Sequence, residues 1–247
     1  PGNVDEILDS VYAQGITAVD CGLIYDCLED VADWIRRRGL ENEFTVIVKG
    51  CIHYRRWCGL RTLRRCNRKG IRQDIRTACR RTGFDCLDLF VLHRDDPRTD
   101  VKEIIDALND QLEAGHIRAF GASNWSHQRI AAANGYAAAQ GLTGFCCSSP
   151  QFSLAEMCRP PWADTRSISG PKHQEAREWY AQNDMPVLVW SPLASGFLTE
   201  SPAPFLQNAS TSYNSKANRE RRRRLFSLAA DRGVQPAAVA IAYLLHQ

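Results

Sequence analysis

The sequence predicts an α/β protein built on a parallel sheet, and three observations carry the prediction. Short apolar runs alternate with amphipathic stretches of helical period along the whole chain. Nearly every run is continuously apolar, as strands buried on both faces must be. The polar exceptions gather where the runs end, the edge at which a parallel sheet brings together side chains from distant parts of a chain.

Taken in order, Val4, Ile7, Leu8 and Val11 predict a first helix in a segment ending at Gly15. ITAVDC, 16–21, reads as a strand, and Leu28, Val31, Ala32 and Ile35 mark a helix ending at Gly39. TVIVKG, 45–50, is the second strand; a long polar loop and a helix over about 71–82 follow. CLDLFVLH, 86–93, precedes an amphipathic stripe of Val101, Ile104, Ile105, Leu108 and Leu112. IRAFGAS, 117–123, leads to an alanine-rich helix over 127–140. TGFCCSSPQF, a helix near 171–183, PVLVWSPL and a helical tail to Gln247 complete the chain. Six strands separated by helices need crossover connections, so a (β/α)8 barrel and a doubly wound open sheet both qualify. Residues 1–247 show no linker and read as a single domain, with ESPAPFLQNASTS, 200–212, as a surface excursion.

Composition excludes several classes. The 31 basic residues nearly balance 28 acidic ones, giving a formal charge of +3 and weak overall attraction to nucleic acid or anionic membrane. The arginines at 36–38 and 219–224 read as solvated helix faces, because no aromatic residues interleave them to stack bases. No apolar run approaches the roughly 18 residues of a membrane helix, and the opening PGNVDEILDS has no signal-region character, so a cytoplasmic protein is expected. Ten cysteines are scattered with no C-x-x-C, which fits a reducing compartment. Cys51, His53, Cys58 and Cys66 match no zinc spacing, and no metal is predicted.

The strand ends carry the chemistry. Asp20 ends the first strand, Lys49 the second, His93 the third, Ser123 and Asn124 the fourth, Gln151 the fifth, and Trp190 with Ser191 the sixth. A tyrosine hydroxyl has an ordinary pKa near 10, and a lysine held close would favour its phenolate, with an aspartate orienting that lysine. Tyr25, Lys49 and Asp20 supply those groups, and His93 adds a donor for a carbonyl oxygen. Hydroxyl and amide groups on Ser123, Asn124 and Gln151 suit a carboxamide, Trp190 offers a stacking face, and the turn SPLASGFL, 191–198, suits a pyrophosphate. Each has a plainer reading: a structural ion pair for Asp20 and Lys49, a helix cap for Ser123 to Ser126, core packing for Trp190.

D-x4-Y at 20–25, K-G at 49–50, H-R-D-D at 93–96, G-A-S-N at 121–124, S-P-Q-F at 149–152 and W-S-P-L-A-S-G-F-L at 190–198 resemble, in order, the landmarks of the aldo-keto reductases. The resemblance implies a (β/α)8 TIM barrel and reduction of an aldehyde or ketone, or oxidation of an alcohol, with NADP(H) or alternatively NAD(H). It assigns the catalytic tetrad to Asp20, Tyr25, Lys49 and His93, and cofactor binding to Ser123, Asn124, Gln151, Trp190, Ser191, Leu193 and Ser195. A small-molecule substrate is implied, without nucleic-acid or membrane partners, and the oligomeric state stays open. Against that pattern the chain starts at the helix after the family's first strand and stops before its last, so an incomplete barrel is expected. Cys21, Gly22 and Asp26 also depart from the usual residues around the tyrosine. The alternative is a non-catalytic cofactor-binding or regulatory subunit on the same fold, or an inactive fragment. Substrate choice is expected to rest on the loops 51–69 and 153–170, with Trp162 able to cover the pocket.

Overall fold

The computed structural model describes residues 4–52, 54–55, 62–63, 65–162, 164–200 and 211–247. The chain forms two compact units, one of Pro1–Ser123 with Gln128–Cys146, the other of Asn124–His127 with Cys147–Gln247.

The first unit is an α/β layer. Its strands β1 (Ala18–Gly22), β2 (Thr45–Gly50), β5 (Leu87–Leu92) and β6 (Ile117–Ser123) pair in that order, all parallel. Helices α1 (Val4–Ala13), α2 (Leu28–Arg38), α3 (Arg68–Thr82) and α4 (Val101–Glu113) pack side by side in chain order. The helix faces follow from sequence spacing: Leu28, Val31, Ala32 and Ile35 of α2, and Ile104, Ile105 and Leu108 of α4, are wholly or almost wholly buried. Caps fix the ends. The Asn67 side chain accepts from Gly70 N to open α3, and Asp100 accepts from Lys102 N to open α4. Gly39 and Gly83 close α2 and α3 in the left-handed conformation that glycine adopts without steric cost.

The second unit holds β7 (Ser148–Ser149), α6 (Gln174–Gln182), α7 (Lys216–Arg232) and α8 (Pro236–Leu245). Its apolar centre is Ala155, Ala194, Leu198, Tyr213, Leu225 and Ala240. Helix α5 (His127–Gln140) starts in this unit and runs into the first.

Five of the six expected strands form. The sixth, PVLVWSPL, is reduced to isolated bridges, Ser148 with Val187 and Gln151 with Trp190. Its residues 187–190 are half-buried rather than enclosed on both faces, and Pro186 and Pro192, which cannot donate, bracket it. The polar loop after β2 also holds an unexpected element, β3 (Tyr54–Arg55) antiparallel to β4 (Thr62–Leu63). Residues 201–210, within the expected surface excursion, lie outside the described residues.

The register sets the site. Gly22 lies beside Lys49, Lys49 beside Val91, Gly50 beside Leu92 and Leu92 beside Ala122, so the four strands end level with one another. Gly50 is needed there for space: an added Cβ would sit 2.6 Å from the Phe90 ring and 3.2 Å from Asp74 Cβ. Gly50→Ala is therefore expected to destabilise the protein by about 1–3 kcal/mol, as overpacking does. Urea denaturation of the two proteins checks this, and equal midpoints would refute it.

Candidate active site

The four residues of the expected tetrad all belong to the first unit. Asp20 and Lys49 stand on neighbouring strands, and strand alternation puts both on the face shared with Ile47, the register partner of Asp20. The Lys49 ammonium donates to Asp20 Oδ2. This pair is asymmetric: the lysine side chain is only 5% exposed, whereas the aspartate is 44% exposed.

Tyr25 follows in a turn closed by its own N–H on Gly22 O at 2.9 Å. Its ring covers Gly22 so closely that a Cβ there would lie 3.1 Å from the ring and 3.5 Å from Lys49 Cβ. Arg81, from the last turn of α3, anchors this loop. It donates to Leu23 O at 2.6 Å and pairs with Glu29 at the start of α2. The ring remains 37% exposed.

His93 completes the group. Its backbone N–H bonds to Gly50 O at 2.7 Å, and its ring meets the Tyr25 ring edge-on at 5.9 Å between centroids. Burial, then the charges of Lys49 and Arg94, depress the imidazole from 6.5 to about 3. The ring is thus neutral at physiological pH.

The expected lowering of the Tyr25 pKa does not occur in this structure. Burial raises it, the Asp20 carboxylate raises it further, and Arg94 is the cation that opposes the rise. Burial is the larger cause, and the carboxylate that pairs with Lys49 adds to it. Tyr25 is consequently a protonated acid at neutral pH, poised to give a proton rather than to take one.

The dinucleotide candidates fall in the second unit, apart from Ser123, the buried last residue of β6. Asn124 is buried with a left-handed backbone (φ 61°), and its Oδ1 accepts from Arg166 N at 3.3 Å. Gln151 is enclosed; its Oε1 accepts from Ser167 and Ser169, and its Nε2 donates to Ser153. Trp190 buries its indole Nε1 with no partner among the described residues. Its ring lies 6.1 Å from that of Trp162, which is 54% exposed.

Past Trp190, the residues Ser191, Ala194, Ser195 and Gly196 all have positive φ. This winds the loop so that the N–H groups of Ser191, Leu193 and Ser195 meet no backbone acceptor among the described residues. Unsatisfied amides of this kind could take a phosphate oxygen. Arg222 of α7 holds the loop from behind, donating to Phe197 O at 2.9 Å and Thr199 O at 3.1 Å while stacking on Phe226 at 4.1 Å. Burial raises the Tyr213 phenol, whose hydroxyl points toward Ser191 and Ser195 without reaching hydrogen-bonding geometry with either.

Sequence reasoning missed Arg81, Arg94 and Arg222 as supports of the site. Arg94 stood within the quoted H-R-D-D, yet nothing in its spacing distinguishes a buried guanidinium from a surface one. Arg222 was hidden in a run whose neighbours pair with carboxylates, Arg221 with the half-buried Glu156 and Arg223 with the exposed Glu220.

The sequence matches the Aldo/keto reductase family over residues 2–247. The chain belongs to that family. An aldo-keto reductase of Fusarium vanettenii is 30% identical over 138 residues, covering 56% of this chain and 34% of that protein. The norsolorinic acid reductase of Emericella nidulans is 24% identical over 250 residues, 98% of this chain and 61% of that one. A probable voltage-gated potassium channel subunit beta of Arabidopsis thaliana is 28% identical over 136 residues, 54% of this chain and 37% of its own length. The chain thus spans between about a third and three fifths of these relatives.

Other features of this aldo-keto reductase lie outside the site. Among the described residues, no group of three or more histidine, cysteine or carboxylate side chains could hold a metal; His53 and Cys58 lie outside them. The arginines at 36–38 each meet a carboxylate, on Asp33, Asp5 and Asp9 respectively. No described helix is long and apolar enough to cross a membrane.

The depressed His93 value has a consequence for stability. Between about pH 3 and 6.5 the unfolded chain binds a proton at this residue that the folded chain does not. Its contribution is therefore present above 6.5 and is lost as pH falls toward 3. His93→Gln is expected to flatten the stability–pH slope across that window in denaturant titrations, and an unaltered slope would refute the assignment.

Proposed function

We propose that the protein is an oxidoreductase that reduces aldehyde or ketone carbonyls, or oxidises the corresponding alcohols, with NADP(H) or alternatively NAD(H). One observation carries this reading: a protonated Tyr25 phenol set edge-on to a neutral His93 ring, above the Lys49–Asp20 ion pair.

In this reading the substrate carbonyl oxygen lies against the Tyr25 hydroxyl and a His93 N–H, which orient and polarise it. Tyr25 gives its proton to that oxygen as negative charge grows there. The phenolate left behind faces the Lys49 ammonium, which stabilises it, while Asp20 keeps the ammonium aimed. In the opposite direction the phenolate takes the alcohol proton. Ser123, Asn124, Gln151 and Trp190 would hold the nicotinamide ring, and Ser191, Leu193 and Ser195 the pyrophosphate. When bound, the cofactor supplies or accepts the hydride at the carbonyl carbon. A cytoplasmic location accords with nine described cysteines as free thiols.

A second reading, a cofactor-binding or regulatory subunit, draws on the likeness to the plant channel subunit. Tyr25→Phe separates the two in the full-length protein. The expected outcome is a fall of about 10²–10⁴-fold in carbonyl reduction, with dinucleotide affinity in fluorescence titration unchanged. An undiminished rate would favour the second reading.

A further inference from the structure

We propose that Asp74 is a positioning residue for carbonyl reduction, acting through the backbone at the end of β2 rather than on the substrate. The sequence spacing marks it as out of place. Ile71, Ile75 and Ala78 form the buried face of α3, and Asp74 stands among them, itself buried. A carboxylate taken out of water is costly unless hydrogen bonds and an opposite charge answer it. Two residues do so. Asp74 Oδ2 accepts from the backbone N–H of Cys51 at 2.7 Å and from Arg65 Nε at 3.0 Å, and Oδ1 accepts from the same guanidinium.

The Cys51 bond connects this carboxylate to the site. Three successive residues at the end of β2 each commit a backbone group beyond the strand ladder. Lys49 O accepts from Leu23 N at 2.9 Å, which ties down the loop carrying Tyr25; Gly50 O accepts from His93 N at 2.7 Å; Cys51 N donates to Asp74. Cys51 is completely buried and has a left-handed backbone (φ 63°), uncommon for a residue with a Cβ and kept where neighbouring structure over-determines it. Asp74 supplies that constraint from α3. Helix and strand end are in close contact there, since a Cβ added at Gly50 would lie 3.2 Å from Asp74 Cβ. Neutralising Arg65 would account for a carboxylate on this face, but not for an oxygen shared with the Cys51 amide.

The consequence for activity rests on the function proposed above. Without the Asp74 acceptor, Cys51 can leave its left-handed conformation, and the strand end that spaces the Tyr25 loop and His93 from Lys49 loosens. Asp74→Leu is therefore expected to lower kcat about 10- to 100-fold, the scale of a small misplacement of reacting groups. Asp74→Asn keeps an oxygen for the Cys51 amide and loses the charge opposite Arg65, so most of the wild-type kcat should remain. Dinucleotide affinity should not change in either, because all its candidate residues except Ser123 belong to the second unit.

The test uses the full-length protein, with 4-nitrobenzaldehyde and NADPH as probes, and pairs kinetics with hydrogen exchange at the Cys51 amide followed by NMR. The expected result is slow Cys51 exchange in the wild type and in Asp74→Asn, fast exchange in Asp74→Leu, and a low kcat in Asp74→Leu alone. A role confined to neutralising Arg65 predicts that the two variants behave alike. Equal kcat in the two, or Cys51 exchange unaltered by Asp74→Leu, would overturn the proposal. Should Asp74→Leu not fold, Asp74→Ser, whose shorter side chain draws the acceptor back from that amide, is read by the same two measurements. Failure of both to fold would give Asp74 a structural role only and would also overturn it. If exchange separates the variants as expected and no protein, wild type included, reduces the aldehyde, it is the proposed function that fails.

Discussion

A lysine ammonium taken almost wholly out of water needs a counter-charge close by, and the rest of the site is arranged around that requirement. Lys49 meets it with Asp20, one strand away, and the partner that remains half in solvent is the carboxylate. The parallel register makes the meeting possible, since β1 and β2 end level and their alternation agrees. Burial decides the protonation of the Tyr25 phenol, with the Asp20 carboxylate adding to the rise and Arg94 opposing it. Burial, then the Lys49 ammonium and Arg94, keep His93 neutral. Burial comes first at both groups that would meet a carbonyl oxygen, and the two charges of the ion pair act after it, Lys49 on His93 and Asp20 on Tyr25.

The second unit works by backbone rather than by charge. Three non-glycine residues, Ser191, Ala194 and Ser195, adopt left-handed conformations in the turn after Trp190. Such conformations are uncommon outside glycine and persist where surrounding structure over-determines them. Arg222 and the apolar centre around Ala194, Leu198 and Tyr213 supply that support. The amides of Ser191, Leu193 and Ser195 are left with no backbone acceptor among the described residues, which is what an anionic ligand needs.

Much of this was legible in the sequence because burial on both faces leaves a plain mark. TVIVKG and IRAFGAS appear as β2 and β6 with the expected ends, and the alanine-rich helix spans 127–140 as read. Elements failed where that mark was ambiguous. PVLVWSPL is as apolar as the others, but half-burial and its prolines leave only two bridges, a tertiary outcome that composition cannot announce. The pair β3–β4 sits in an arginine-rich stretch with no alternation to betray it. The candidate site residues could be named from strand ends, whereas their protonation could not: whether Lys49 acts on Tyr25 or is matched by Asp20 depends on distances that only the fold sets. Gln151 shows the same limit, since Ser167 and Ser169, well outside its motif, engage its amide together with Ser153.

The central claim is that the Lys49 ammonium offsets the Asp20 carboxylate in the field felt by the Tyr25 phenol. Titration of Tyr25 by NMR, with the tyrosine ring carbons labelled, tests it in the wild type and in Lys49→Met. The account predicts a wild-type value above the ordinary 10 and a further rise when the ammonium is removed and the carboxylate acts unopposed. A value that stays put or falls in the variant would contradict it.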